Sequence, residues 1–448
     1  MTSSLRHCGL DFGTSNSTLA IADGHAPVRL LPLEGDRPTI PSTIFFDFDS
    51  DRVLFGRAAI AEYISGTDGR MMRSLKSILG SSLAEEKIRI KKRILSYLQI
   101  IGSFVGELKQ RAEVDLGHEL DSVVVGRPVH YVDDDPIADR QAQQQMERTV
   151  RSKGFRHIEF QYEPIAAALD YEQQVTREEL GLVVDLGGGT SDFSVVRVSP
   201  HRAVASDRQS DILSTAGVHV GGTDFDRLLS LKTVMPALGY QTPTADGKRP
   251  LPSAPYVDLA TWHRINQLYD PAILRQLRHT QREARDPERV DKFISIVGHR
   301  EGHRLAGAVE AAKIALTSEP RAVVTFDGEE VDLHIPIARD QLAAAISGAV
   351  DRIEDKLREV VAVAGLTADR IDTLILTGGS TQIPAIMQRL RANFPSAAFV
   401  ETDAFGSVGL GLALAAARRF GRSPATRSPG AAAPSSVRIS AAVFGRPK

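Results

Sequence analysis

Two short segments each put an aspartate at the end of an apolar run and follow it with glycines and hydroxyl residues. In the first, Asp11 closes CGLDF and Gly13, Thr14, Ser15 and Asn16 follow. In the second, Asp185 closes LVVDL and Gly187, Gly188, Gly189, Thr190 and Asp192 follow. Small residues let a backbone approach a phosphate closely, and the N–H groups of such turns point at its oxygens. Three consecutive glycines lose much backbone entropy on folding, so close contact with a ligand explains them better than a plain turn does. An aspartate at a strand end suits Mg²⁺, which takes few carboxylates together with water and phosphate oxygens. If the two turns face each other across a cleft, they clamp two phosphates of a nucleotide, and Asp11 and Asp185 reach one metal from opposite sides. A third segment, Leu376-Thr377-Gly378-Gly379-Ser380, lies between an apolar strand and a helix. Ligands of α/β folds sit at such strand ends, and this one is assigned to an adenosine.

These residues need elements to hold them. Both aspartate segments read as strand, turn, strand, with TLAIAD and FSVVRV as the returning strands. Their likeness implies two structurally similar halves. Helices are expected over Arg70–Gly80, Ala84–Leu116, Arg140–Lys153 and Ile165–Tyr171, with a strand at Asp121–Val125. In the second half, residues 240–304 look like an insertion carrying the only tryptophan, Trp262. Helices are expected at Leu305–Ser318, Asp340–Ala364, Ile383–Ala392 and Ser407–Phe420, and strands within Val323–Ile335 and at Ile371–Thr377. The expected organisation is a first lobe over 1–180 with an insert at 38–102, a second lobe over 181–420 with an insert at 227–322, and a disordered basic tail over 421–448. No acidic residue follows Asp403, and Ser, Pro, Ala, Gly and Arg dominate the tail.

Composition narrows the function classes. A chain of 448 residues with 42% hydrophobic and 25% charged residues can bury a sizeable core. Its formal net charge of −2 gives no electrostatic case for nucleic acid or membrane partners. The lone cysteine, Cys8, fits a reducing compartment and a buried apolar role. The first residues lack a signal-type apolar core, and no apolar run approaches the roughly 18 residues of a membrane helix, so a cytoplasmic location is expected. His299 and His303 stand four apart, but a metalloprotease pattern and a third ligand are missing, so zinc is not expected. Ser191 and Ser380 lack the Gly-x-Ser-x-Gly elbow of a hydrolase triad.

Taken in order, DFGTSNS, EPIAAAL, DLGGGTSDF, AGVHVGGTDFD and LTGGSTQIP resemble the nucleotide-binding domain of the heat shock protein 70 (DnaK-like) family, over residues 7–420. That resemblance implies an α/β, actin-like ATPase fold: two duplicated ribonuclease H-like lobes about a central cleft that binds ATP or ADP with Mg²⁺. It implies slow ATP hydrolysis and a nucleotide-dependent conformational switch. Position by position, it implies that Asp11, Thr14, Ser15 and Asn16 form the first phosphate loop. Lys76 is then the catalytic lysine at the γ-phosphate and attacking water, and Glu163 the acid that orders water and metal. Asp185, Gly187, Gly188, Gly189, Thr190 and Asp192 form the second phosphate loop, with Asp11 and Asp185 at the metal. Gly221, Gly222 and Asp224 lie beside the nucleotide, Glu310 and Lys313 at the ribose, and Gly378, Gly379, Ser380 and Asp403 at the adenosine. Asp192 or Asp11 would accept the proton from water.

The sequence also departs from the family pattern. Ile314 and Gln382 stand where arginines usually face the adenine, which weakens affinity or loosens base choice. In the family a proline and an arginine relay nucleotide state; the matches here are Pro128 and Arg140, at a longer spacing. No peptide-binding domain is expected after the last helix. In this the chain resembles short bacterial members of the family, which share its Trp262–Asn266 segment. A monomer with an unidentified protein partner is expected. The alternatives are a polymerising actin homologue, a small-molecule kinase of the same superfamily, or a binder that does not turn nucleotide over.

Overall fold

Runs such as HCGLDF and SVVVGR are apolar almost without interruption, the pattern of strands covered on both faces. In the computed structural model, which describes residues 7–22, 28–132, 135–202, 205, 207–401 and 406–421, these runs form the middle of a first sheet. His7–Phe12 pairs in parallel with Ser122–Arg127, which pairs in parallel with His157–Tyr162. On its other side His7–Phe12 forms a hairpin with Asn16–Ile21, which Arg29–Leu30 and Thr39–Pro41 extend.

The second sheet repeats this plan. Glu179–Leu186 forms a hairpin with Ser191–Val198, which pairs antiparallel with Ile212–Val218. On the other side Glu179–Leu186 runs parallel to Thr373–Thr377, and that strand parallel to Ala398–Glu401. The registers correspond too: Asp11 opposes Thr18 one step before the first turn, and Asp185 opposes Asp192 one step before the second. The expected internal repeat is therefore present in the topology.

Each sheet has its own core. Leu10, Phe12, Phe104, Val123 and Met146 lie in one; Leu182, Val184, Phe193, Phe225 and Ile353 lie in the other. A third cluster joins them, with Val124 and Ile165 from the first half packed with Val183, Ile375 and Leu412. Two helices, Glu163–Glu172 and Ser407–Phe420, supply much of this joint. They approach so closely that a Cβ on Gly411 would lie 1.8 Å from the Ala166 carbonyl oxygen. Helices in such contact resist sliding past one another.

The helices expected over 70–116 are only partly present. Gly69–Arg73 is a strand beside Thr43–Asp47, followed by 3₁₀ turns at Leu75–Ile78 and Ser82–Glu85 and a hairpin of Lys87–Ile90 with Arg93–Ser96. The α-helix begins only at Tyr97 and runs to Leu116. Its start is fixed by a capping box in which Ser96 and Gln99 satisfy each other's backbone N–H groups. Elsewhere expected and observed elements agree within a few residues, apart from the helix expected from Arg140, which starts at Pro136 with an Asp135 cap. In the second half, helices Gly222–Thr233, Ala254–Ala260, Pro271–Glu283, Pro287–Gly298 and Gly302–Ser318 precede a hairpin of Arg321–Asp327 with Asp332–Ala338 and the long helix Arg339–Val363. Among the described residues no helix is long and apolar enough to cross a membrane. The expected tail beyond residue 421, and Asp403, lie outside the described residues.

Candidate active site

The two aspartate hairpins meet. A Cβ placed on Gly188 would lie 2.3 Å from the Ser15 hydroxyl oxygen, so the second loop touches the first only because residue 188 has no side chain. The first turn is equally tight, since a Cβ on Gly13 would lie 2.1 Å from the Asn16 carbonyl oxygen. Ser42 braces it from below: its hydroxyl donates to the Gly13 carbonyl at 2.7 Å, and its backbone N–H donates to the Ser15 carbonyl at 2.8 Å. The second turn closes with the Gly187 N–H on the Thr190 carbonyl at 2.9 Å.

That second turn is stitched to the start of a helix. The N–H groups of Gly222 and Thr223 donate to the carbonyls of Gly187 and Gly188 at 3.0 and 2.8 Å, and the Asp224 carboxylate caps the Gly221 N–H at 3.1 Å. The 12-residue helix Gly222–Thr233 therefore begins beside the glycine turn. The positive end of its dipole favours anions there.

Acid groups crowd the space between the hairpins. Burial, and then the charges of Asp192, Glu163 and Asp11, push the Asp185 carboxyl up to about 8. Burial and Glu163 likewise hold Asp11 well above the ordinary carboxylate range. Such repulsion is relieved when a cation enters, and the donor set suits Mg²⁺ bound by two carboxylates with phosphate and water completing its shell. No group of three or more His, Cys, Asp or Glu side chains placed to hold a metal occurs among the described residues.

Lys76 comes from the first insert. Ser74, at φ 58°, turns the chain from the strand Gly69–Arg73 into the 3₁₀ turn Leu75–Ile78 that carries this lysine. Its ammonium lies 2.5 Å from Glu163 Oε1, the first residue of the helix Glu163–Glu172. Burial opposes its charge, but Glu163, Asp11 and Tyr131 outweigh burial and raise its pKa, so it stays an ammonium at neutral pH. Thr190 donates to Asp192 at 3.0 Å. Asp11, Thr14, Ser15, Asn16, Lys76, Glu163, Asp185, Thr190 and Asp192 thus share one cleft.

Another part of the cleft holds Gly378, Gly379, Ser380, Glu310, Lys313, Ile314 and Gln382. Gly378, at φ 82°, brings its loop against the second hairpin: a Cβ there would lie 2.3 Å from the Leu186 carbonyl oxygen. Gly379 and the buried Ser380 follow, with Gly222 adjacent to Ser380. Glu310 and Lys313 line the same wall from the helix Gly302–Ser318. Lys313 is tied down, with its ammonium 2.8 Å from Asp226 Oδ1 and 3.2 Å from the Gly222 carbonyl. Ile314 is 57% exposed and Gln382 is exposed, and both line the cleft.

Several residues of the cleft were not singled out from sequence. Tyr131 lines the cleft within charge-interaction range of Lys76 and Glu163, and burial raises its pKa. Arg127, rather than Arg140, bonds the Pro128 carbonyl, at 3.0 Å; Arg140 is exposed at the cleft edge. At the rim, Tyr63 and Arg73 of the first insert meet Trp262 and His303 of the second half. An arginine directly before proline at the end of SVVVGR was the available signal for Arg127; nothing local marks Tyr63 and Arg73 as partners of Trp262 and His303. Of the two histidines set aside for zinc, His299 is exposed and bonds Ser295, while His303 is buried against Tyr63 and the Trp262 carbonyl. Cys8 is buried, and its thiol is pushed up by that burial.

The whole cleft measures about 1680 Å³, more than the roughly 300–1,000 Å³ of ordinary small-molecule sites. The sequence model of the Hsp70 protein family matches residues 7–235 and 269–424, leaving out 236–268 between them. Chaperone protein DnaK 3 of Synechococcus sp. is 27% identical over 418 residues, covering 86% of this chain and 53% of that protein. Chaperone protein dnaK1 of Synechococcus elongatus matches with the same identity and coverage. The chain spans about half the length of these curated relatives.

Proposed function

Because this chain belongs to the Hsp70 family and has its actin-like ATPase fold, we propose that it binds Mg·ATP between its two lobes, hydrolyses it slowly, and signals nucleotide state to a protein partner. The observation that carries this is the meeting of two equivalent aspartate–glycine hairpins, at Gly188 and Ser15, beside the Lys76–Glu163 pair.

In this proposal the hairpin N–H groups bind the phosphates, and the start of the helix Gly222–Thr233 adds to that field. Bound at Asp11 and Asp185, Mg²⁺ would neutralise phosphate charge. Lys76 faces the γ-phosphate and the attacking water, held in place by Glu163; phosphoryl transfer asks mainly for such positioning and charge. Asp192 or Asp11 takes the proton from that water. Glu310 and Lys313 face the ribose, and Gly378, Gly379, Ser380, Asp403, Ile314 and Gln382 surround the base. The lobe boundaries proposed are 1–180 and 181–420, with a monomeric chain acting in the cytoplasm. The family match favours this ATPase switch over a filament or a small-molecule kinase.

The test is a pair of measurements on the purified chain. Saturating Mg·ADP or Mg·ATP should raise the melting temperature, since a ligand at 100 times its Kd stabilises the native state by about 2.7 kcal/mol. Phosphate release from Mg·ATP should be detectable and slow. No thermal shift at millimolar nucleotide would remove the proposal; a shift without phosphate release would leave a nucleotide binder only.

A further inference from the structure

One cation beside the Lys76–Glu163 pair is tied to the site on several sides at once. Arg127 ends the strand Ser122–Arg127, and its side chain turns back over the following loop. Nε donates to the Pro128 carbonyl at 3.0 Å, and one terminal nitrogen to Gln143 Oε1 at 2.5 Å. The other terminal nitrogen donates to the Val129 carbonyl at 3.0 Å and to both oxygens of Asp139, at 3.1 and 2.9 Å. The same Asp139 accepts the Tyr131 backbone N–H at 2.7 Å. The side chains of Arg127 and Asp139 are only 11% and 15% exposed.

The guanidinium carbon also lies 5.4 Å from the Tyr131 ring centroid and 5.0 Å from that of Tyr162, within cation–π distance of both. Each tyrosine leads to the proposed reaction centre. Tyr162 immediately precedes Glu163, and the Tyr131 phenol is within charge-interaction range of Lys76 and Glu163. On the strand itself, Gly126 leaves room for Glu163: a Cβ there would come within 3.3 Å of Glu163 Cγ.

We propose that Arg127 is a positioning residue for ATP hydrolysis, bracing Tyr131 and Tyr162 so that Tyr131 backs Lys76 and Glu163 holds the lysine at a fixed angle. This rests on the ATPase reading above. The Arg127 guanidinium is already engaged by Pro128, Val129, Asp139 and Gln143, so its loss should affect turnover far more than affinity. Lysine cannot replace it, because an ammonium lacks the planar fork that reaches these acceptors while facing two rings.

The experiment measures single-turnover hydrolysis, Mg·ADP affinity and melting temperature for the full chain and for Arg127→Lys, Tyr131→Phe and the double variant. The expected result is a fall in turnover of about tenfold or more in each single variant, as small misplacements of reacting groups cost that much or more. Affinity for Mg·ADP should stay within about twofold, and the double variant should be no slower than the worse single one, because residues that act as a unit are not additive. Parental turnover in Arg127→Lys overturns the assignment and leaves Arg127 as a loop clamp. If Arg127→Lys also loses melting temperature and affinity, Tyr131→Phe decides, since it removes one hydroxyl only; parental turnover there overturns the assignment. Additive losses in the double variant overturn it as well. Absence of hydrolysis by the unsubstituted chain removes the ATPase reading and this inference with it, an outcome distinct from loss confined to the variants.

Discussion

Lys76 shows how much a single residue's environment adds to its type. In the sequence it is one lysine among many on a stretch expected to be helical; in the fold a strand, a left-handed Ser74 and a 3₁₀ turn deliver it to Glu163. Its charge is most useful as negative charge builds on the transferring phosphoryl group. Lys76→Ala should therefore cut turnover by about 10²–10³ while Mg·ADP affinity changes far less, as for loss of one preorganised donor. Equal turnover in the variant would show that the lysine has another role. The aspartates, in contrast, were legible from spacing alone, because an acid followed by glycine and hydroxyl residues has a local meaning. Their elevated pKa values were not legible, since these depend on Asp11, Asp185, Asp192 and Glu163 converging from distant parts of the chain. They imply a pH dependence of stability. Asp185 holds a proton up to about pH 8 in the metal-free fold, while the unfolded chain releases it near pH 4. The folded state binds more protons between those values, so stability falls as pH rises toward 8 and levels beyond it. Melting temperatures of the metal-free chain should decline from pH 6.5 to 8, and Mg·ADP should flatten the slope because the metal takes the proton's place. A metal-free melting temperature that rises over this range would contradict the assigned environment.

At the scale of elements, the hairpins and the strand–loop–helix around Gly378 follow from patterns read over a few residues. Period and glycine placement identify them, and the topology duplicates them. The segment 70–96 misled for the opposite reason. Its alternating charged and apolar residues suit a helix face or a hairpin equally, and tertiary contact with Thr43–Asp47 decides for strand. The contact between hairpins also yields a test that sequence alone does not offer. Gly188→Ala puts a methyl group where Ser15 already stands, 2.3 Å from its hydroxyl oxygen. The second loop must then withdraw from the first, and phosphates can no longer be held from both sides. Nucleotide affinity should drop by roughly tenfold or more, a loss of about 1.4 kcal/mol or greater, with little change in the melting temperature of the nucleotide-free chain. Gly348→Ala, in the helix Arg339–Val363 away from the hairpins, is the control, since nothing lies within 4 Å of a Cβ there. If both variants bind Mg·ADP alike, the hairpins do not act as a clamp.

Across the whole molecule, the two sheets are joined at one side of the cleft by the helices Glu163–Glu172 and Ser407–Phe420, and touch again at the rim. There the Tyr63 hydroxyl, from the helix Gly56–Ile64, lies 3.4 Å from His303 Nε2, and the Arg73 guanidinium lies 5.3 Å from the centre of the Trp262 ring. His303 is sandwiched, its ring 4.7 Å from Tyr63 and 4.8 Å from Trp262. Burial lowers its pKa to about 4, so it stays neutral and the contact is not a pH switch near neutrality. Trp262 belongs to 236–268, the stretch outside the family match. Under the proposed function, if a nucleotide leaves by parting of the two halves about the helix joint, the rim contact must break for it to go. Tyr63→Ala and Arg73→Ala should therefore speed ADP release severalfold in stopped-flow chase, with the phosphate loops untouched. Trp262 is the single tryptophan; the Arg73 guanidinium over its ring comes from the other side of the rim and would leave if the cleft opened, while His303 would stay beside it. Its emission should differ between nucleotide-free and Mg·ADP-bound protein, and the Tyr63→Ala variant should shift the bound spectrum toward the free one. Identical release rates in all three proteins would mean that the rim contact does not hold the cleft shut, and that closure is set at the hairpins alone.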